Sequence, residues 1–181
     1  MTMGAADRYS RGAIAFHWTI AALVIVNLFL GLFHENLLEG MKVMPLHRAI
    51  GITILVLSVG RLGWRLTHRP PGLPPEMRGW ERAAAKVAHV LLYALMVALP
   101  LTGWMMSSNP ERPRPFDWFG LIQVPVLPID KGAAMLGRGL HGPLGYVMTA
   151  LVVLHIAAAL RHHWVLRDRV LARMVPGIGP R

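Results

Sequence analysis

Residues 140–160 read LHGPLGYVMTALVVLHIAAAL and contain no charged side chain. An α-helix needs about 20 apolar residues to cross the hydrocarbon core of a bilayer, and this stretch has that length. Three further stretches share its length and apolar character, at residues 13–33, 45–64 and 83–106. The sequence therefore predicts four membrane-spanning helices within a single domain over residues 1–181.

The composition of the whole chain agrees with this prediction. Of its 181 residues, 54% are hydrophobic and 15% are charged, and the mean hydropathy is +0.45. Soluble domains carry about 25% charged residues, so this chain has too few to cover a soluble globule. The absence of cysteine excludes disulfides, iron–sulfur clusters and thiolate metal sites. The expected fold class is all-α, an integral membrane four-helix bundle.

The charged residues indicate how the bundle lies in the membrane. The net charge is +10, but the lysines and arginines cluster between the apolar stretches, which is typical of membrane flanks and not of a nucleic-acid surface. Most of them lie at the two termini and in the proline-rich connector after the second stretch, where Pro74 and Pro75 are predicted to stop helices. Because positive flanks stay in the cytoplasm, both termini are predicted to be cytoplasmic.

Four of the nine histidines form a pattern inside the apolar stretches. His141 and His155 share one face of the fourth stretch, but 14 residues of helix separate them by about 21 Å along its axis. His17 lies at the depth of His155, near the cytoplasmic surface, and His47 lies at the depth of His141, near the opposite surface. The spacing therefore predicts two pairs of facing imidazoles at two depths.

Facing imidazoles on different helices of an apolar bundle suit b-type haem with two histidine ligands. Zinc or copper would need three or four ligands at one depth, and a proton relay commonly includes buried carboxylates, which none of the four stretches contains. Purely structural histidines remain an alternative. Gly51, Gly142 and Gly145 either give a bulky cofactor room or simply let helices pack closely, and Asn27 is predicted to form an interhelical hydrogen bond.

Other polar residues are candidates for contacts to such a cofactor. His89 lies at the depth of His17 and His155, so we expect it to bond a haem propionate or a quinone carbonyl, with axial ligation and a structural role as alternatives. Arg48, Arg61, Arg161 and His162 lie near helix ends, where they can meet propionates or a quinone headgroup. Each is also compatible with a solvated position at the interface.

Several segments resemble the bacterial cytochrome b561 family, and together they cover nearly the whole chain and all four stretches. They lie at residues 9–11 (YSR), 14–18 (IAFHW), 51–57 (GITILVL), 61–62 (RL), 89–93 (HVLLY), 99–104 (LPLTGW) and 154–163 (LHIAAALRHH), together with His47 and His141.

The resemblance implies an inner-membrane cytochrome with two haem b groups. The positions that match the family's axial ligands are His17 and His155 for the cytoplasmic-side haem, and His47 and His141 for the other. Well-understood members of the family resemble a superoxide oxidase, which takes electrons from superoxide at the periplasmic face and passes them to ubiquinone.

Two other classes of function are alternatives to electron transfer from superoxide to ubiquinone. In the first, the chain is an electron conduit or anchor subunit for a periplasmic redox partner, which would dock on the proline- and aromatic-rich loop at residues 107–139. In the second, it is a non-redox transporter or scaffold, which would need broken helices or a hydrophilic path. The sequence indicates neither of these features.

Overall fold

The computed structural model describes residues 8–36, 38–39, 41–68, 70–72 and 77–175. Four long helices dominate it: α1 (Arg11–Phe33), α2 (Met44–Thr67), α3 (Gly79–Ser107) and α4 (Lys131–Arg161). Each is long and apolar enough to cross a membrane. Pro74 and Pro75 of the connector lie outside the described residues.

Side-chain hydrogen bonds cap the starts of α1, α3 and α4. Ser10 Oγ accepts a hydrogen bond from Ala13 N at the start of α1, and Asp130 Oδ1 accepts one from Ala133 N at the start of α4. At α3, Glu81 reaches back to the backbone N–H of Arg78. These caps satisfy backbone donors that have no partner within the helix.

Two helices begin earlier than hydropathy predicts. The apolar stretch at 140–160 is preceded by about two and a half turns of α4, and that at 83–106 by about one turn of α3. Both helices begin early because their caps allow polar residues to form helical turns before the apolar part. Glu81 consequently lies within α3, although outside the predicted apolar stretch.

The helices pack closely where small residues allow it. A Cβ atom added to Gly137 would lie 2.7 Å from Met105 Cβ and 2.8 Å from the carbonyl oxygen of Thr102, so α4 approaches the backbone of α3 there. The buried core is apolar and central, whereas many large side chains such as Val56 and Val90 are exposed on the outside. This distribution suits a bundle surrounded by lipid. The core cluster comprises Ile20, Val24, Leu30, Val43, Ile50, Ile54, Leu95, Met96 and Met148.

The loop between α3 and α4 contains a small β-hairpin, which the all-α prediction did not include. Strands β1 (Phe116–Trp118) and β2 (Ile122–Val124) pair antiparallel, with Phe116 opposite Val124 and Trp118 opposite Ile122. Trp118 Nε1 donates a hydrogen bond to Thr53 Oγ1 of α2, over 3.0 Å. The hairpin therefore lies against the side of α2.

At the opposite end of the bundle, the chain turns back after α4. A π-helical turn (His162–Leu166) ends at Arg167, which has φ +53°, and a short 3-10 helix (Leu171–Arg173) follows. Trp18 Nε1 of α1 then donates a hydrogen bond to the carbonyl oxygen of Met174, over 2.8 Å. This contact ties the C-terminal segment to α1.

Candidate functional site

The structure brings His47 of α2 and His141 of α4 together. Their ring centres are 6.0 Å apart and the rings are nearly perpendicular, at 89°. We call this pair the His47–His141 site. It lies at the end of the bundle that carries the hairpin.

Backbone carbonyls hold both of these imidazoles. His47 Nδ1 lies 3.1 Å from the carbonyl oxygen of Asn27, and His141 Nδ1 lies 3.1 Å from that of Leu99. A carbonyl oxygen only accepts hydrogen bonds, so Nδ1 of each ring donates and Nε2 keeps a free lone pair. Histidines that bind metals have this arrangement, because the second bond fixes the tautomer and the ring orientation.

Two glycines that the sequence analysis did not single out lie against these rings. A Cβ atom at Gly31 would lie 2.9 Å from His47 Cε1, and one at Gly103 would lie 3.0 Å from His141 Cε1. Contacts this short are repulsive, since carbon atoms prefer separations of about 3.5–4.0 Å. Glycine at each position therefore makes room for an imidazole. In the sequence, a glycine within an apolar stretch is the signal that could indicate such a close contact with an imidazole.

A cavity of about 730 Å³ opens beside the His47–His141 site. This volume lies within the usual range of about 300–1,000 Å³ for cofactor and ligand pockets. Asn27 lines it, and its buried side-chain Oδ1 has no hydrogen-bond partner in the described part of the chain. The interhelical bond expected of this side chain is therefore not made through Oδ1, and the contact to His47 comes from the backbone carbonyl of Asn27. All four helices contribute to the lining, which includes Gly31, His47, Gly51, Gly103, His141, Gly142 and Gly145.

Four arginines also line this cavity: Arg48, Arg112, Arg114 and Arg138. The guanidinium carbon of Arg48 lies 6.0 Å from the ring centre of Phe116 in the hairpin, which is a cation–π distance. No carboxylate forms an ion pair with any of the four among the described residues. The four arginines outnumber the one carboxylate in the described lining, that of Glu35, so the cavity presents net positive charge to an anionic group.

A second group of imidazoles lies at the other end of the bundle. The ring centre of His155 is 6.2 Å from that of His17 and 5.7 Å from that of His89. We call these three residues the His155 site. Over the residues that the structure describes, no group of three or more His, Asp or Glu side chains is placed to hold one metal ion together.

The surroundings of His17 differ from those of His47 and His141. Arg61 Nη2 lies 3.4 Å from His17 Nδ1, and arginine can only donate, so Nδ1 is the acceptor here. Both Arg61 and Arg65 lie over the ring of Tyr93, at 5.3 and 5.9 Å from its centre. Neither arginine has a carboxylate partner within the described ranges.

Arg161 and His162 make their polar contacts elsewhere. Arg161 Nη1 forms an ion pair with Glu81 Oε1 over 3.1 Å, which joins the end of α4 to the start of α3. His162 Nδ1 bonds Asp168 in the C-terminal segment. The structure thus engages both residues with carboxylates of this chain and not with the three imidazoles of the His155 site.

The spacing of the paired imidazoles suits a metal ion between them. Two bonds of roughly 2 Å from the metal to nitrogen, with each nitrogen about 1 Å from its ring centre, put ring centres about 6 Å apart. The separations of 6.0 Å for His47 and His141 and of 6.2 Å for His17 and His155 match this value. The cavity beside the His47–His141 site can take a planar macrocycle, and its arginines can meet acidic groups, so this site fits haem. At the His155 site the fit rests on the imidazole spacing and on the nearby Arg61.

Comparisons with known proteins identify relatives over almost the whole chain. The family model described as prokaryotic cytochrome b561 matches residues 8–177. Cytochrome b561 homolog 2 of Escherichia coli (strain K12) is 34% identical, covering 93% of this chain and 92% of its own. The probable superoxide oxidase CybB of Yersinia pestis is 31% identical over 93% of this chain and 96% of its own. Cytochrome b562 of Cereibacter sphaeroides is 29% identical, covering 92% and 94%.

The resemblance found in the sequence is therefore confirmed. Four candidate spans and a family of inner-membrane cytochromes make this a multi-pass protein of the bacterial inner membrane, and the family implies haem b as its cofactor and electron transport as its role. The chain belongs to the prokaryotic cytochrome b561 family.

Proposed function

We propose that this protein carries electrons across the inner membrane from superoxide, at the periplasmic face, to ubiquinone. Two haem b groups supply the one-electron chemistry when bound. His47 and His141 hold one of them, and His17 and His155 hold the other. The observation that carries the proposal is the presence of two histidine pairs, each with ring centres about 6 Å apart, at opposite ends of one apolar bundle.

The direction of transfer follows from the proposed orientation. Most lysines and arginines flank the bundle at the termini and in the connector between α2 and α3, which favours cytoplasmic termini. The His47–His141 site then faces the periplasm, and the His155 site faces the cytoplasm. His141 and His155 are separated by about 21 Å along α4, so the two sites together cover most of the bilayer.

Superoxide is an anion, and the arginines around the cavity favour its approach. Arg48, Arg112, Arg114 and Arg138 line the cavity, whereas Lys131 is neutralised by Glu111 at 2.8 Å. Two superoxide anions give up two electrons and become two molecules of O2. One ubiquinone takes these electrons with two protons and becomes ubiquinol.

The His155 site has one imidazole more than two axial ligands require. We assign His17 and His155 as the ligands and His89 as the residue that bonds a propionate or a quinone carbonyl. If His17 ligates through Nε2, its Nδ1 takes the proton, and Arg61 then needs another acceptor. A propionate is such an acceptor, so Arg61 is proposed to bind one, and Arg48 has the same role at the other site.

The name of one relative supports superoxide as the donor, since the Yersinia pestis protein is called a probable superoxide oxidase. The second candidate function is that of an electron conduit for a periplasmic redox protein. The exposed Phe119 in the proline- and aromatic-rich α3–α4 loop is the observation that favours it. The two candidates differ in their immediate electron donor.

The proposal is tested with the purified haem-loaded protein in ubiquinone-containing vesicles. An enzymatic source supplies superoxide, and ubiquinol is measured over time. We expect ubiquinol formation that weakens as salt rises, because ions screen charges over about 8–10 Å at physiological strength. Arg114→Gln should slow the reaction at low salt, whereas Arg11→Gln, at the start of α1, should not.

Absence of ubiquinol under these conditions would contradict the proposal. Rapid reduction of the haems by a co-purifying soluble redox protein, without any reaction with superoxide, would favour the conduit instead. A rate that does not depend on salt would remove the role of the arginines in guiding the anion.

A further inference from the structure

The hairpin between α3 and α4 has two faces of opposite character. Phe116 and Val124 are buried on one face, while Asp117 and Gln123, paired with each other, are exposed on the other. Alternate residues of a strand point to opposite faces, so the polar pair points away from the bundle. This pattern is that of an element lying on a surface, with its apolar side inward.

The hairpin lies beside the outer half of the apolar part of α2. Trp118 bonds Thr53, which lies five residues, or about 7.5 Å, further into α2 than Arg48. Arginine near a helix end extends its charge towards the headgroups, and indole rings settle at the same interface. Thr53 lies eight residues, or about 12 Å, inside the apolar stretch predicted at 45–64, so the strand pair lies beside the outer half of that stretch.

The tip of the hairpin is apolar and uncovered. Phe119, Leu121 and Ile122 are 49%, 74% and 63% exposed. On α2, Val56 is also exposed, one helical turn beyond the Thr53 that bonds Trp118. Exposure of these three apolar side chains to water would be unfavourable.

The geometry of the turn does not explain why residue 119 is a phenylalanine. Phe119 and Gly120 have φ +51° and +74°, and Leu121 N donates to the carbonyl oxygen of Trp118 over 3.0 Å. Two positive φ angles define the tight hairpin turn that favours Asn-Gly. A residue other than glycine is strained in this left-handed region, and a bulky aromatic is rare there. Such strain persists where another interaction offsets it.

We propose that the tip of this hairpin, Phe119 with Leu121 and Ile122, inserts into the adjacent leaflet and anchors the loop to the bilayer. Its occupant is lipid acyl chains and not a protein. Three observations favour lipid: the tip is apolar and exposed, Trp118 bonds Thr53 inside the apolar part of α2, and the polar pair Asp117 and Gln123 lies on the other face of the hairpin. This inference goes beyond electron transfer and does not depend on it.

The anchor has a structural consequence for the cavity. Phe116, at the start of β1, lines the cavity and lies beneath the guanidinium of Arg48. An inserted tip on the far side of the same hairpin keeps Phe116 in this position. The membrane itself thereby helps to close the cavity wall.

The native chain has no cysteine, so single cysteines report the position of each residue. The haem-loaded variants Leu121→Cys and Gln123→Cys are placed in phospholipid vesicles and treated with a charged, water-soluble maleimide. We expect slow labelling at position 121 and fast labelling at the matched position 123. A phospholipid with a photoreactive acyl chain should attach to the tip, as located by mass spectrometry.

The variant Phe119→Asn separates anchoring from folding of the hairpin. Asparagine suits the turn, so the hairpin should persist while labelling of a cysteine at position 121 becomes fast and lipid attachment is lost. The double variant Asp117→Cys and Gln123→Cys tests whether the hairpin is still formed. Directly paired strand residues are close enough for a disulfide, so formation of this disulfide shows that the strands remain paired.

Fast labelling at position 121 in the otherwise native chain would overturn the proposal. So would attachment of the tip to a second protein chain in place of lipid. Unchanged protection of position 121 in the Phe119→Asn background would show that Phe119 is not the anchor.

Discussion

Replacing Gly103 with alanine tests whether the His47–His141 site depends on an exact imidazole position. The new Cβ atom would lie 3.0 Å from His141 Cε1, where carbon atoms prefer about 3.5–4.0 Å. The ring cannot simply swing away, because His141 Nδ1 is held by the carbonyl oxygen of Leu99 and the hydroxyl of Thr102, each at 3.1 Å. Relief therefore requires the ring to move by about 0.5–1 Å or to lose these bonds.

The expected magnitude follows from the cost of overpacking. Forcing an extra carbon into a packed site costs about 1–3 kcal/mol. If the whole cost falls on the ligand-competent position of His141, haem is held about 5- to 150-fold more weakly at this site. The haem at the His155 site should be unaffected, since its proposed ligands lie about 21 Å away along α4.

The assay is the haem-to-protein ratio together with the reduced-minus-oxidised absorption spectrum. The matched control is Gly139→Ala, because a Cβ atom at Gly139 meets nothing within 4 Å and Gly139 lies on the helix that carries His141. Both changes gain the same helix propensity, about 1 kcal/mol, so their difference isolates the clash. Equal retention of both haems in the two variants would refute the reasoning.

Three further predictions concern other contacts of the chain. Arg61→Gln should lower the reduction potential of the haem at the His155 site, because the positive charge proposed to bind its propionate is removed; a redox titration checks this, and an unchanged potential would contradict it. Gly137→Ala should destabilise the bundle by about 1–3 kcal/mol, because its Cβ atom would meet the backbone of α3 at 2.8 Å, and thermal unfolding against Gly139→Ala should show a lower midpoint. Asp168→Asn should weaken the bond to His162 and speed tryptic cleavage within the C-terminal segment, and cleavage at the native rate would argue against that bond as its main tether.

Arithmetic on helix rise was enough to predict which histidines meet. A rise of about 1.5 Å per residue places His17 beside His155 and His47 beside His141, and the structure has both pairs close together. Depth in the membrane does not decide whether His17 or His89 pairs with His155, because both lie at similar depths in their apolar stretches. The structure likewise places both beside His155.

Features that depend on contacts across helices could not be predicted in this way. Gly31 and Gly103 make room for imidazoles on other helices, and hydropathy says nothing about the rotation that brings them there. The start of α4 at Lys131 depends on the cap of Asp130, which a search for apolar residues does not detect. The sequence pattern does not predict the hairpin either, because each of its strands has only three residues.

The central claim is that two histidine pairs hold two haems, and His→Ala variants at positions 17, 47, 89, 141 and 155 test it most directly. The measurement is the haem-to-protein ratio with the reduced-minus-oxidised spectrum of each detergent-purified variant. We predict two low-spin b haems in the native protein, one lost on changing His17 or His155 and the other on changing His47 or His141, with both retained in His89→Ala. Absence of haem from the native protein, or loss of one haem with His89→Ala but not with His17→Ala, would contradict the account.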